Sequence, residues 1–159
     1  MLIEESDCFD RFNNTVLTIC HNELNEIVVN SPILENYIRT NYPLYKIISS
    51  TTKCLKKIND AQNEIDKDYY LVCLDYNLNK VDSFFQNLNQ NQINKIEILV
   101  NAVCPPNCSN RFEHYRLNSL SSLNYGKNYG VRHCGVDRST LYPVSYPTVL
   151  SPEEIEKMY

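Results

Sequence analysis

The sequence predicts an α/β fold built from consecutive β-α units, with a parallel sheet of about four to five strands. Three observations lead there. Short β-branched or aromatic runs bounded by polar residues recur along the chain. Stretches with apolar side chains at helical spacing lie between them. The two patterns alternate, and alternation implies parallel strands joined by right-handed crossovers.

The elements follow in order. The segment from Asp7 to His21 reads as a helix with Phe9, Phe12, Val16, Ile19 and Cys20 inward, although TVLTIC within it also fits a strand. The first strand is Glu26 to Asn30. Ser31 then caps a helix whose first position is Pro32 and whose inward stripe is Ile33, Leu34, Tyr37 and Ile38; proline has no N–H to lose there. The second strand is Tyr45 to Ser49, followed by a stripe of Cys54, Leu55, Ile58, Ala61 and Ile65. The third is Tyr69 to Asp75, followed by Val81, Phe84, Phe85 and Leu88. The fourth is Ile96 to Val100. Near-continuous apolar runs of this kind suit strands covered on both faces. Residues 103–150 form an irregular Cys-, Gly- and Tyr-rich region within one domain spanning 1–159. Ser151, Pro152 and Glu154 form a capping box that opens a last helix, and a chain ending in the first turns of a helix reads as cut short.

Bulk properties exclude several classes. The 159 residues carry a net charge of -4 and no long basic run, which speaks against a dedicated nucleic-acid surface. No stretch is long and apolar enough for a membrane span. The acidic start, MLIEESDCFD, is not a secretory signal, so the seven cysteines are expected as thiols or ligands in the cytoplasm. All three glycines lie late, at Gly126, Gly130 and Gly135, and no strand is followed by the glycine pattern of a dinucleotide fold or P-loop. No nucleotide cofactor is expected.

Sites in parallel α/β folds form at the carboxyl ends of the strands. Here those ends are Asn30-Ser31, Ser49 to Thr52, Asp75 to Asn77, and Asn101. Ser31 and the Ser/Thr run suit helix capping, while Asp75, Asn77 and Asn101 suit capping and a site equally. Glu97 lies inside an apolar strand, where a carboxylate is costly unless paired. Turned inward it would serve as an acid, a base or a metal ligand; the plain alternative is a solvent-facing Glu beside Lys95.

Cys104 and Cys108 are a C-x3-C pair straight after the fourth strand. With Cys134 and His114 or His133 they make a chemically complete zinc site, or lend thiolates to an iron–sulfur cluster. Two free thiols beside a rigid Pro-Pro turn are the bland alternative. A Cys108–His114 nucleophile pair, with Cys108 opening a helix, is a third. Arg111 and Arg116 either neutralise an anion at this rim or are solvated helix residues. The other cysteines (Cys8, Cys20, Cys54, Cys73) mostly suit small apolar positions.

The motifs NEIVVNSPILENYIRTNYPLYKIISSTTK, YYLVCLDYNLNK and IEILVNAVCPPNCSNRFEHY resemble a group of bacterial (β/α) barrel proteins that is distantly similar to the U32 collagenase-like peptidase family. The resemblance runs from about Asp7 to Tyr159. It implies a TIM-type barrel, present here in part, with an inward Glu on a strand (Glu97) followed by a Cys-bearing loop. It also implies a cysteine-bound iron–sulfur cluster, which some U32-like proteins use in oxygen-independent hydroxylation; others are described as peptidases. The U32 cysteine spacing is not reproduced. The later barrel strands are missing, so self-association or a partner chain completing the barrel is expected. The functional expectation is part of a U32-like enzyme with Glu97, Asp75 and Asn101 as catalytic candidates and Cys104, Cys108, Cys134 and His114 as metal candidates. Its alternatives are a non-catalytic binding fragment and a metal-free cysteine hydrolase.

Overall fold

A computed structural model describes residues 3–102, 104–124 and 148–158. Its centre is a four-stranded, all-parallel sheet in the order β1-β2-β3-β4. The strands are β1 (Glu26–Val29), β2 (Lys46–Ser49), β3 (Leu71–Cys73) and β4 (Ile96–Glu97). Each pairs with its neighbour in the chain: Val29 opposes Ser49, Ser49 opposes Val72, and Val72 opposes Ile96. The expected α/β class and its parallel sheet are therefore present.

The helices are α1 (Arg11–Ile19), α2 (Pro32–Asn41), α3 (Ile58–Ile65), α4 (Asp82–Phe85), α5 (Gln90–Ile93), α6 (Arg111–Leu123) and α7 (Pro152–Glu156). Two 3-10 turns, Glu5–Phe9 and Thr51–Lys53, precede α1 and α3. Ser31 caps α2 from Leu34 N with Pro32 in the first turn, and Ser151 and Glu154 close the capping box of α7, both as expected. The helix expected across Val81 to Leu88 divides instead. Asn89 and Gln92 form their own capping box and start α5.

One sheet face builds the core. Val29, Ile47, Val72 and Ile96 alternate onto it and meet Ile38 of α2, Ala61 and Ile65 of α3, and Phe84 of α4. The other face carries Val28, Ile48, Leu71, Cys73 and Glu97, and none of them joins that core. Cover on that second face is uneven: Ile48 is buried and Val28 is 61% exposed.

Strand β4 is shorter than its apolar run because other groups take the backbone. Asn79 Nδ2 donates to Leu99 O at 2.9 Å and Leu150 N donates to Val100 O at 2.9 Å. Both carbonyls are satisfied without a longer ladder.

The first helix is the main departure from expectation. It breaks at Asp10, whose side chain accepts from Asn13 N at 2.7 Å. Phe9, Phe12, Val16 and Ile19 are exposed, with Phe12 at 74% and Ile19 at 77%. The inward side carries Asn14 and Leu17 instead. Asn14 Oδ1 accepts from the hydroxyls of Tyr37 at 2.7 Å and Tyr42 at 2.9 Å, while its Nδ2 donates to Cys8 O and Asp10 O. Tyr45 donates to Leu17 O at 2.8 Å. Three tyrosine hydroxyls thus fix the roll of α1, and polar bonds override the apolar stripe. Only Cys20 of the expected inward set packs against the core, partly buried.

A polar network ties α2, α3 and the sheet together. Glu64, buried on α3, accepts from Lys53 at 2.6 Å, Lys67 at 2.5 Å and Ser49 Oγ at 2.6 Å. Tyr69 donates to Glu35 and accepts from Lys53 at 2.8 Å. Burial alone would raise the Glu64 carboxyl; the bonds from Lys53, Lys67 and Ser49 outweigh it and bring it from 4.5 down to about 2. A carboxyl held low in the folded state stabilises fully above its unfolded value and loses that contribution as pH falls toward the folded one. Stability should therefore drop between about pH 4.5 and about pH 2, by about 3 kcal/mol from this group. Urea unfolding across that range measures it, and Glu64→Gln should remove most of the slope while lowering stability at neutral pH.

Candidate functional site

The strand ends form a rim, and its organising group is Arg111, the first residue of α6. Arg111 is fully buried and pairs with the equally buried Asp75 at the end of β3, Nη1 to Oδ2 at 2.8 Å. Nη2 donates to Thr51 O at 3.0 Å and Thr51 Oγ1 at 3.1 Å; Nε donates to the Tyr115 hydroxyl at 3.0 Å. The guanidinium also lies 4.3 Å from the ring centre of Tyr76 and 5.4 Å from that of Tyr115. Burial works to lower its pKa, but the bonds to Tyr115 and Asp75 win and raise it, so the group stays charged. Burial pushes the Tyr76 phenol up to about 12 against the opposing pull of Arg111.

Asp75 is satisfied on both oxygens. Oδ1 accepts from Asn77 N at 3.0 Å and Asn77 Nδ2 at 2.7 Å, an Asx-type turn. The Asn77 side chain then continues the chain of contacts by accepting from Asn107 N at 2.7 Å.

That last bond belongs to the cysteine loop. Cys108 N donates to Pro105 O at 3.2 Å, so Pro106 and Asn107 sit at the corner of a turn, with Asn107 in the left-handed region at φ 54°. Asparagine tolerates that conformation better than most residues. Tyr76 donates its hydroxyl to Pro105 O at 2.9 Å and Lys56 Nζ donates to Cys108 O at 2.8 Å. The Pro-Pro segment is a turn, as expected, and it is pinned over the ends of β2 and β3 by side chains from both loops. Cys54 stands beside it, also left-handed at φ 57°.

The thiols respond to this setting. Burial raises Cys54 and Cys104, and the nearby Arg111 partly opposes the rise in both. Burial also raises Cys73, with Glu97 adding to it. Such thiols are mostly protonated at neutral pH and are weak nucleophiles until a partner removes the proton.

The sequence candidates fall as follows. Asp75 is at the centre of the rim. Asn101 is exposed and joins Val149 through a backbone bridge. Glu97 is exposed and opposes Cys73 on the sheet face turned away from α2, α3 and α4. Cys108 lies in the turn, two residues ahead of the N-cap Asn110, so it does not open α6. His114 is in the first turns of α6 and half-buried. Among the described residues, no three His, Cys, Asp or Glu side chains are grouped to hold a metal ion. Cys134 and His133 lie outside the described residues. The six described cysteines form no disulfide with one another, and no described helix is long and apolar enough to cross a membrane. Arg116 pairs with Glu113 at the surface, its solvated alternative; Arg111 is neither solvated nor open to an anion.

Sequence reasoning missed Arg111 as the partner of Asp75. One signal was present: a cation at the first position of a helix opposes the helix dipole, so it needs a local reason to be there. Cys54 next to Cys104 had no sequence signal, since their loops follow different strands.

Removing Asp75 alone should leave a buried, unpaired guanidinium, so Asp75→Ala should cost about 3–5 kcal/mol in urea unfolding. Asp75→Leu combined with Arg111→Met should recover most of that loss, and a double-mutant cycle measures the coupling. No protein-family model, curated protein or solved structure matches the chain, so its function is inferred from the chemistry of the rim.

Proposed function

We propose that this chain is part of a U32-like (β/α) barrel enzyme whose working end is the rim around Arg111 and Asp75, with Cys104 and Cys108 as thiolate ligands of zinc or an iron–sulfur cluster. The observation that carries the reading is the fixed C-x3-C turn. Bonds from Tyr76, Asn77 and Lys56 hold it over the strand ends, and preorganised ligands of this kind are what a metal or cluster site requires. Strand order supports the barrel: each strand adds beside its predecessor in one direction, and right-handed crossovers then keep the helices on one face.

The described donors match zinc or an iron–sulfur cluster in type and fall short in number; Cys134 and His114 are the groups to complete the set. The raised Cys104 thiol makes binding proton-coupled, because a thiol must lose its proton to ligate. Such a metal would supply Lewis acidity or, as a cluster, electron transfer. The chain's own part is to hold the two thiols, keep Arg111 charged beside them and fix Asp75 in its acceptor state.

Anaerobic purification with metal and sulfide analysis tests this. Bound metal should be lost in both Cys104→Ser and Cys108→Ser, with circular dichroism unchanged, and uptake should strengthen as pH rises. A metal-free protein that refuses zinc and iron under reducing conditions would refute it.

Assembly with another chain is a second reading, favoured by one observation. Among the described residues the four most exposed large apolar side chains, Leu24, Ile19, Phe9 and Phe12, all lie in α1 and its flanks. We expect light scattering to show self-association or capture of a barrel-completing partner, weakened by Phe12→Ser with Ile19→Ser. A strict monomer whose elution is unmoved by both substitutions would count against it.

A further inference from the structure

A cavity of about 890 Å³ lies between α1, α2 and α6, beside β1. It needs neither the cysteine loop nor a metal, although Thr52 and Tyr115 border both it and the Arg111 rim. Its size is in the range of small-molecule sites, on the order of 300–1,000 Å³.

The two long walls differ in character. One wall, from α1, α2 and β1, is mainly apolar, with Leu17, Ile27, Leu34 and Ile38. The facing wall is the α6 stripe Tyr115, Asn118, Ser119 and Ser122, at helical spacing, with Leu123 the one aliphatic member at its end. Packing would ordinarily set apolar side chains of α6 against that apolar wall. Here polar side chains face it and a gap remains. The gap cannot close by a swing of α6, because Arg111 anchors the start of that helix in the buried pair with Asp75.

Hydrogen-bond capacity sets the kind of occupant. Ser119 Oγ donates to Tyr115 O at 2.9 Å and Ser122 Oγ donates to Asn118 O at 3.0 Å. Both hydroxyls have used their proton and keep lone pairs, so toward the cavity they are acceptors. The charged lining residues among those described are Asp7 and Asp10, both carboxylates, and no Lys, Arg or His stands with them. An anion would meet acceptors and negative charge with no compensating cation.

We propose that this cavity is a binding site for an uncharged amphipathic molecule, apolar along one side and carrying hydroxyl or amide donors along the other. Its apolar side lies on Leu17, Ile27 and Leu34, and its donors face Ser119, Ser122 and Asn118. Among the described lining residues no cation offsets the charge of a phosphorylated or sulfated molecule, so such molecules bind more weakly.

Calorimetric titration of the full chain with n-octyl β-D-glucoside, below its micelle concentration, and with octyl sulfate of the same tail tests the proposal. The glucoside should bind saturably and the sulfate at least about tenfold more weakly. Ser122→Leu fills the cavity and should cut glucoside binding by about tenfold or more with an unchanged circular dichroism spectrum. Asn118→Lys, on an exposed position with the helix intact, should raise octyl sulfate binding above wild type. That second variant decides the matter if Ser122→Leu disturbs folding. Absence of saturable glucoside binding, equal binding of both probes, or an Asn118→Lys protein that gains nothing for the sulfate would overturn it.

Discussion

The buried pair between Arg111 and Asp75 is the constraint on which the rest of the rim depends. Two charges out of water are costly, and their mutual attraction offsets that cost only when every remaining donor and acceptor finds a partner. Here each guanidinium nitrogen and each carboxylate oxygen has one: Thr51 and Tyr115 accept from Nη2 and Nε, and Asn77 donates to the second carboxylate oxygen. One ion pair therefore joins the loops after β2 and β3 to the start of α6. Through Asn77 the same group of bonds reaches Asn107 and so orders the cysteine turn. Loss of the pair would release three pieces of backbone together.

This arrangement also explains why the rim thiols are quiet. A guanidinium nearby favours thiolate, yet burial prevails at Cys54 and Cys104. A thiol in that state suits coordination, where binding drives the proton off, better than nucleophilic attack by the free residue. At Cys54 and Cys104 a general balance of desolvation and charge thus favours the protonated thiol.

Much of the fold was legible in the sequence, because it rests on local signals. The four strands lie inside the runs that periodicity marked, and Ser31-Pro32 and Ser151-Pro152 start helices where capping chemistry requires. The failures have a shared cause. The stripe of Phe9, Phe12, Val16 and Ile19 is hydrophobic at helical spacing, yet the hydroxyls of Tyr37, Tyr42 and Tyr45, which lie beyond β1 in the chain, turn Asn14 and Leu17 inward. Arg111 looked like surface or an anion site, and its partner lies 36 residues back. The sequence marked Asp75 as a site or a cap; it could not say that its charge was already spoken for. Periodicity is blind to hydrogen bonds made across such distances.

The strand order has a consequence for how the chain folds. Every ladder joins strands that follow one another directly in the chain, so each closes only a short loop with one crossover inside it. Topology of this kind favours stepwise growth from a single β-α-β nucleus, much as repeats add to a solenoid. Contacts that reach across several units are what convert such growth into an all-or-none transition. Arg111 to Thr51, spanning 60 residues, is one of them. On this view the ion pair that orders the rim also sets cooperativity: without it, the edge units could fray while the middle of the sheet stayed paired.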